Sequence, residues 1–262
     1  MSRPDPPQLY VQRDQPPGVP PLALTGERTL PDVPEENYWF QRHLVVYEWI
    51  ARRVAGLRVA DLACGEGYGS DVLARAGAQA VVGVDANPEA HEHARLRYSR
   101  HGLRFVRTLV ETFEEPCDAI VFLQTIEHVH NPGEILDRFR SLVRPGGVAF
   151  VSTPNVLTLA PPGAERSGNP WHVHEYRPQE FGALCRAHFP RVELHGLFHA
   201  RKLALHAAAL RLGWDAVHQR LDVTQRFYDR FTPAIDARDF ALRRGGAREL
   251  AGALDIVAVL RA

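Results

Sequence analysis

Apolar residues recur at helical spacing from Asn37 to Val54, through Trp39, Phe40, Val46, Trp49, Ile50 and Val54, which predicts a helix ahead of the main fold. A strand–helix alternation follows. Leu57–Leu62 is a short apolar run, Gly65 to Gly69 interrupts it, and Ser70–Ala76 resumes a helical pattern that stops at Gly77. Ala80–Val84 reads as a second strand. Asn87 followed by Pro88 opens a helix, with a capping side chain before a proline at the first helical position. Leu103–Arg107 is a third strand and Asp118–Leu123 a fourth. The helix begun at Asn131-Pro132 buries Ile135, Leu136, Phe139, Leu142 and Val143. Pro145-Gly146-Gly147 turns the chain into a fifth strand, Val148–Ser152. Repeated strand–helix units with short links predict an α/β fold: a parallel sheet with helices on both faces.

Beyond Pro154 the rhythm changes. Residues 155–176 have no clear period and read as a loop over the sheet, followed by a helix from Pro178 to His188 and a short strand, Val192–Gly196. Residues 200–250 look helical and polar-faced with no sheet pattern, and Asp255–Leu260 is a last strand. The expected organisation is a tail over 1–21 without fixed structure, because its seven prolines leave little to bury. A helical segment then covers 22–56, a sheet domain is built from 57–199 and 253–262, and a helical cap over 200–252 is inserted before the last strand. The cap is expected to cover the site or to form a homodimer contact.

Charge narrows the partners. Lys plus Arg equals Asp plus Glu, 31 each, so nothing builds the positive field of a nucleic-acid-binding surface, and no nucleic-acid partner is expected. No run of about 18 apolar residues predicts a membrane span. No basic segment followed by an apolar run opens the sequence, and Cys64, Cys117 and Cys185 form no CxxC pair. A reducing, cytoplasmic setting is the expectation.

The densest chemical signal is Val59-Ala60-Asp61-Leu62-Ala63-Cys64-Gly65-Glu66-Gly67-Tyr68-Gly69. Open parallel sheets bind ligands at the carboxyl ends of their strands, and glycines there let a ligand approach the backbone. The spacing is GxGxG, not the dinucleotide GxGxxG, and Asp61 just upstream would repel a pyrophosphate and favour a cationic ligand. Val81-Val82-Gly83-Val84-Asp85 ends the second strand in an acid that can accept from the vicinal hydroxyls of a ribose. Together they favour a nucleoside ligand over a bare turn, and disfavour a nicotinamide-dependent oxidoreductase.

With these motifs, and with Gln124-Thr125-Ile126-Glu127-His128-Val129, Arg144-Pro145-Gly146-Gly147 and Ser152-Thr153-Pro154-Asn155, the chain resembles the class I S-adenosylmethionine-dependent methyltransferases. The resemblance implies a Rossmann-like seven-stranded sheet, mostly parallel with the last strand antiparallel. It implies S-adenosyl-L-methionine as cofactor, with Asp61, Ala63, Cys64, Gly65, Gly67 and Tyr68 around its methionine part. Asp85 would hold the ribose, Ala86, Leu109 and Val110 would lie by the adenine, and Gln124 would face the cofactor. Leu109 stands where many relatives carry Asp. The segments around Leu24-Thr25-Gly26-Glu27-Arg28-Thr29, Glu36 to His43, Gly196 to His199 and Leu254 to Ala258 resemble a narrower group, the actinobacterial methyltransferases linked to methylglucose polysaccharide synthesis. That implies O-methylation of a sugar, glucan or glycolipid, with a quinone or small natural product as the alternative acceptor and a non-catalytic cofactor-binding protein as the alternative of another class. It also lets His43 and Tyr47 close over the methionine end, the alternative being that they pack the leading helix.

Glu127-His128 falls where the resemblance puts the substrate rim. A histidine there is suited to take the proton of an attacking hydroxyl, or else caps the turn. Asn169-Pro170-Trp171-His172-Val173-His174-Glu175-Tyr176 follows the fifth strand on the same edge and offers His172 as a second base. The catalytic candidates are therefore His128, Glu127 and His172. Glu127, His172 and His174 also form a conceivable cation set, but their spacing matches no recognised ligand pattern and no metal is expected.

Overall fold

A computed structural model of the chain describes residues 8–25, 28–161, 163–214 and 223–262. Strands β1 (Leu9–Tyr10) and β2 (Leu22–Ala23) pair as a small antiparallel ribbon. Helix α1 (Asn37–Ala51) leads into the main α/β series: β3 (Arg58–Leu62), α2 (Tyr68–Arg75), β4 (Ala80–Val84), α3 (Pro88–Arg97), β5 (Leu103–Val106), β6 (Cys117–Leu123), α4 (Pro132–Leu142) and β7 (Val143–Pro154). Then come α5 (Val156–Leu159), α6 (Pro178–His188), β8 (Arg191–His199), α7 (Arg201–Arg211), α8 (Val223–Phe231), β9 (Phe240–Arg244) and β10 (Asp255–Arg261).

Among the described residues eight strands form one sheet, in the order β5-β4-β3-β6-β7-β10-β8-β9. β3 to β7 pair in parallel, β10 is antiparallel to both β7 and β8, and β9 is antiparallel to β8. The order turns back between β3 and β6, and an open sheet binds ligands at such a point. The Rossmann-like arrangement and its antiparallel late strand are as expected. Seven strands become eight because Phe240–Arg244, expected inside a helical cap, pairs with the outer edge of β8. Its register (His199 opposite Phe240, His195 opposite Arg244) buries Phe240 and leaves Arg243 and Arg244 outside, too short a pattern to stand out in sequence. The rest of that stretch holds α7 and α8; residues 215–222 of the expected cap lie outside the described residues.

The two faces of the sheet have separate cores. Ile120, Phe122, Leu136, Phe139 and Phe181 pack on one, and Ile50, Val54, Leu73, Val121, Phe150 and Val257 on the other, because strands buried on both faces send alternate side chains to each. Asn87 caps α3 as expected, its side chain accepting from Glu89 N and Ala90 N. Asn131 stands at the N-cap of α4, but its side chain makes no cap bond.

The expectation of a tail without fixed structure needs correction for residues 8–21. Val19 is buried there, and Leu22, Leu30 and Val33 form a small core of their own beside α3. The Pro20 carbonyl accepts from Nδ1 of the buried His93 on α3. Proline has no N–H to satisfy, so a segment docked by a few apolar anchors and its carbonyls does not need a periodic pattern. Residues 1–7 of that tail lie outside the described residues. Among the described residues no helix is long and apolar enough to cross a membrane.

Candidate functional site

At the carboxyl ends of β3, β4 and β6 the backbone takes unusual conformations. Ala63 (φ 57°) and Gln124 (φ 50°) are left-handed, a region that costs a side-chain-bearing residue about 1–2 kcal/mol. Such strain clusters at ligand sites. The glycines between are needed for different reasons. Gly67 has φ 97°, and a Cβ on it would also come within 2.8 Å of Ala94 Cβ. Gly69 is pressed by the Tyr47 ring, where a Cβ would meet ring carbons at 2.1 Å. The GxGxG spacing thus serves the turn and the packing of α1 on α2 as much as any ligand.

The Asp85 carboxylate accepts from Gly65 N at 2.8 Å and from Asn87 N at 2.9 Å, tying the loop after β3 to the end of β4. Each oxygen keeps a further lone pair for a ligand hydroxyl. Asp61 lies deeper than expected. It is 0 % exposed and does not line the cleft. Ser70 Oγ donates to it at 2.6 Å and the Tyr47 hydroxyl at 3.2 Å. Burial, with a smaller push from Asp85, raises it to about 7 against those two donors. Burial, then Asp61 itself, holds the Tyr47 phenol well above its ordinary value, so the phenol is the donor of that pair. Asp61 therefore sits behind the loop, held by Ser70 and Tyr47, and not at the surface of the cleft. Gly67 is likewise behind the surface.

The cleft has three connected parts. A slot of about 170 Å³ is lined by Ala86, Leu109, Val110, Phe122, Val129 and Ile135. Ala63, Asp85 and Thr125 line both this slot and a larger cavity of about 520 Å³. Cys64, Gly65, Tyr68, Tyr47 and His43 also face the larger cavity. Burial pulls His43 down to about 4, so it is neutral at neutral pH. A third cavity of about 490 Å³ adjoins, lined by Trp39, Arg42, Glu127, Asn169 and His172, with Arg28, Thr29, His43, Gln124 and His128 facing both large cavities.

The three catalytic candidates meet at that junction. Glu127 and His128 sit on the helical turn after β6. The 169–176 segment joins them because Val173 N and His174 N both donate to the Glu127 carbonyl, at 2.9 and 3.0 Å, and Asn155 bridges to Tyr176. The His128 and His172 rings stand 5.0 Å apart, edge to face. His174 is elsewhere: Nε2 pairs with the exposed Glu180 at 2.6 Å. Trp171 is 63 % exposed at the rim.

Sequence gave no role to Thr29, His130, Trp39 or Arg28. The segments of Arg28, Thr29 and Trp39 are distant from the loop in the chain, and docking of the leading segment, through Thr29 Oγ1 to the Tyr68 hydroxyl at 3.0 Å, brings Arg28 over the loop, whereas His130 follows two residues after His128 and faces the same cavity. Gly26 and Glu27 of that motif lie outside the described residues.

A family model described as a methyltransferase domain matches residues 38–208. A Mycolicibacterium smegmatis protein named as a probable S-adenosylmethionine-dependent methyltransferase is 36% identical over 246 residues, covering 91% of this chain and 94% of its own. A ubiquinone biosynthesis O-methyltransferase of Xylella fastidiosa is 36% identical over 157 residues, 53% of this chain and 63% of its own. Among solved structures, a Thermotoga maritima S-adenosylmethionine-dependent methyltransferase, described as a possible histamine N-methyltransferase, superposes with a TM-score of 0.57 at 16% identity, covering 87% of this chain and 94% of its own.

Proposed function

The chain belongs to the class I S-adenosylmethionine-dependent methyltransferases, and on that premise we propose that it methylates a hydroxyl oxygen of a sugar, glucan or glycolipid. The observation that carries the reading is the order of chemical environments along the cleft. A narrow slot beside Ala86, Leu109 and Val110, the Asp85 carboxylate, and a wider cavity that Arg28, Thr29 and Gln124 face follow one another as adenine, ribose and amino acid do in the cofactor. Ala86, Leu109 and Val110 would cover the purine. Asp85 would accept from the ribose hydroxyls, and Arg28 would face the methionine carboxylate. Cys64, Gly65, Tyr68 and Gln124 would line its path.

Bound there, the cofactor supplies a methyl carbon on a sulfonium, and transfer breaks the carbon–sulfur bond as the acceptor oxygen bonds to carbon and loses its proton. The acceptor would occupy the adjoining cavity, between Trp39 and the 169–172 loop. An indole face with Arg, Glu and Asn side chains around it suits a polyhydroxylated ring. The hydroxyl proton would be drawn off beside Glu127, His128 and His172. Holding oxygen and methyl in line supplies much of such a rate. The similarity of the leading and trailing motifs to methyltransferases linked to methylglucose polysaccharides supports the carbohydrate acceptor. Similarity to ubiquinone biosynthesis O-methyltransferases favours a quinol as the second reading.

The test is incubation of the chain with isotopically labelled S-adenosylmethionine and separate pools of oligosaccharides, glycolipids and quinols, read by mass spectrometry. Label in a sugar hydroxyl is the expected result. Label confined to quinols moves the acceptor to the second reading, and label in no pool counts against an O-methyltransferase of either kind.

A further inference from the structure

We propose that Glu127, His128 and His172 together hold one divalent transition-metal cation at the junction of the two large cavities, an inference that rests on reading the outer cavity as the acceptor site. One donor atom from each of the three lies within 4.8 Å of the others. Ligands bound to one ion at about 2.1 Å stand at most about 4.2 Å apart, so side-chain rotation of roughly an ångström closes the site.

The imidazoles are oriented for it. Nδ1 of His128 lies 2.9 Å from the Trp171 carbonyl, and Nδ1 of His172 lies 2.7 Å from Glu175 Oε1. A carbonyl and a carboxylate only accept, so in each neutral ring the proton sits on Nδ1 and the lone pair on Nε2. An acceptor behind the ring that fixes its tautomer is what metal-bound histidines use. His172 Nε2 accepts from Asn169 Nδ2 at 3.0 Å, and a cation would take over that lone pair. Glu127 is 1 % exposed and His172 is 9 % exposed.

Two imidazoles and one carboxylate form a borderline donor set. It suits Zn²⁺, Mn²⁺, Co²⁺ or Fe²⁺ better than Mg²⁺ or Ca²⁺, which take mainly oxygen. Three protein donors leave coordination positions open toward the cavity, as in catalytic sites and unlike closed structural ones. A cation there supplies Lewis acidity to a neighbouring hydroxyl.

The experiment is titration of the chelator-treated full chain with Mn²⁺, Zn²⁺ and Mg²⁺ by calorimetry, with free Mn²⁺ followed by paramagnetic resonance. S-adenosylhomocysteine is titrated into the same samples. One Mn²⁺ or Zn²⁺ per chain, bound more tightly than Mg²⁺, is expected. His172→Ala and the conservative Glu127→Gln should each weaken it by at least the roughly 10–100-fold that loss of an outer-shell partner costs, since each removes a ligand. Neither residue lines the cofactor cavity, so S-adenosylhomocysteine affinity should persist in both and report that they fold. A wild-type chain that binds S-adenosylhomocysteine but neither Mn²⁺ nor Zn²⁺ overturns the proposal, as do folded variants that bind the ions like wild type. Failure of S-adenosylhomocysteine itself to bind wild type counts against the cofactor reading beneath it, a distinguishable result.

Discussion

The Tyr47 hydroxyl donates to Oδ1 of Asp61 at 3.2 Å, joining helix α1 to the buried acid at the end of β3. Its ring covers Gly69 at the same time, so one side chain from outside the α/β series closes the underside of the loop. Tyr47→Phe keeps that packing and removes the donor. It should destabilise the fold by about 1–3 kcal/mol, the cost of a buried acceptor losing a partner. Urea denaturation of both proteins checks this.

Asp61 also makes stability depend on pH. Its folded value of about 7 exceeds its ordinary 3.8, so the folded chain binds this proton more tightly than the unfolded one. The resulting stabilisation is complete below the unfolded value and is lost as pH rises through the folded one. Asn cannot titrate. The stability of wild type relative to Asp61→Asn should therefore fall between about pH 4 and about pH 7 and level off above that, as denaturation across that range would show. A flat difference would place the carboxylate's titration outside this window.

Asp85→Ala should weaken S-adenosylhomocysteine binding by about 1–3 kcal/mol, because it removes the acceptor for the ribose hydroxyls. It also releases Gly65 N and Asn87 N. Asp85→Asn, which keeps one oxygen, should fall between. Calorimetric titration of the three proteins decides, and unchanged affinity in the alanine variant would remove Asp85 from the cofactor site.

Ala63 pays for its left-handed backbone with steric strain. Ala63→Gly should stabilise the chain by up to about 1 kcal/mol, while Ala63→Val, β-branched at positive φ, should destabilise it by about 1–3 kcal/mol. Thermal denaturation orders the three; a valine variant as stable as wild type would show that no strain is held there.

Arg42 of α1 donates through Nε and Nη2 to both carboxylate oxygens of Asp255, at 2.7 and 2.5 Å, and both residues are buried. Arg42→Met leaves that charge unmatched inside the protein and should cost about 3–5 kcal/mol. Adding Asp255→Asn should recover much of it. Equal losses in the single and double variants, measured by denaturation, would show that the pair is not coupled.

Local pattern was enough for much of this protein. The alternation of apolar runs with glycine and proline stops located the strands and helices from 57 to 154, since burial on both faces and turn chemistry are written in consecutive residues. Asp85 and the glycine loop were legible for the same reason: strand end, loop and helix start are neighbours in the chain. Ribbon β1–β2 and edge strand β9 were not, because two-residue strands carry no periodicity and Phe240–Arg244, which ends in two arginines, lacks the apolar run that marks the inner strands.

The depth of Asp61 and the meeting of Glu127 and His128 with His172 belong to the tertiary structure. Nothing local says that Tyr47 will lie over Gly69 and shut Asp61 away from the cleft. Nothing local says that His172 will turn inward while His174 turns to Glu180. The first outcome depends on how α1 packs its side chains against α2, and the second on main-chain hydrogen bonds between segments more than forty residues apart, such as Val173 N to the Glu127 carbonyl, which any residue can make and no side-chain pattern announces.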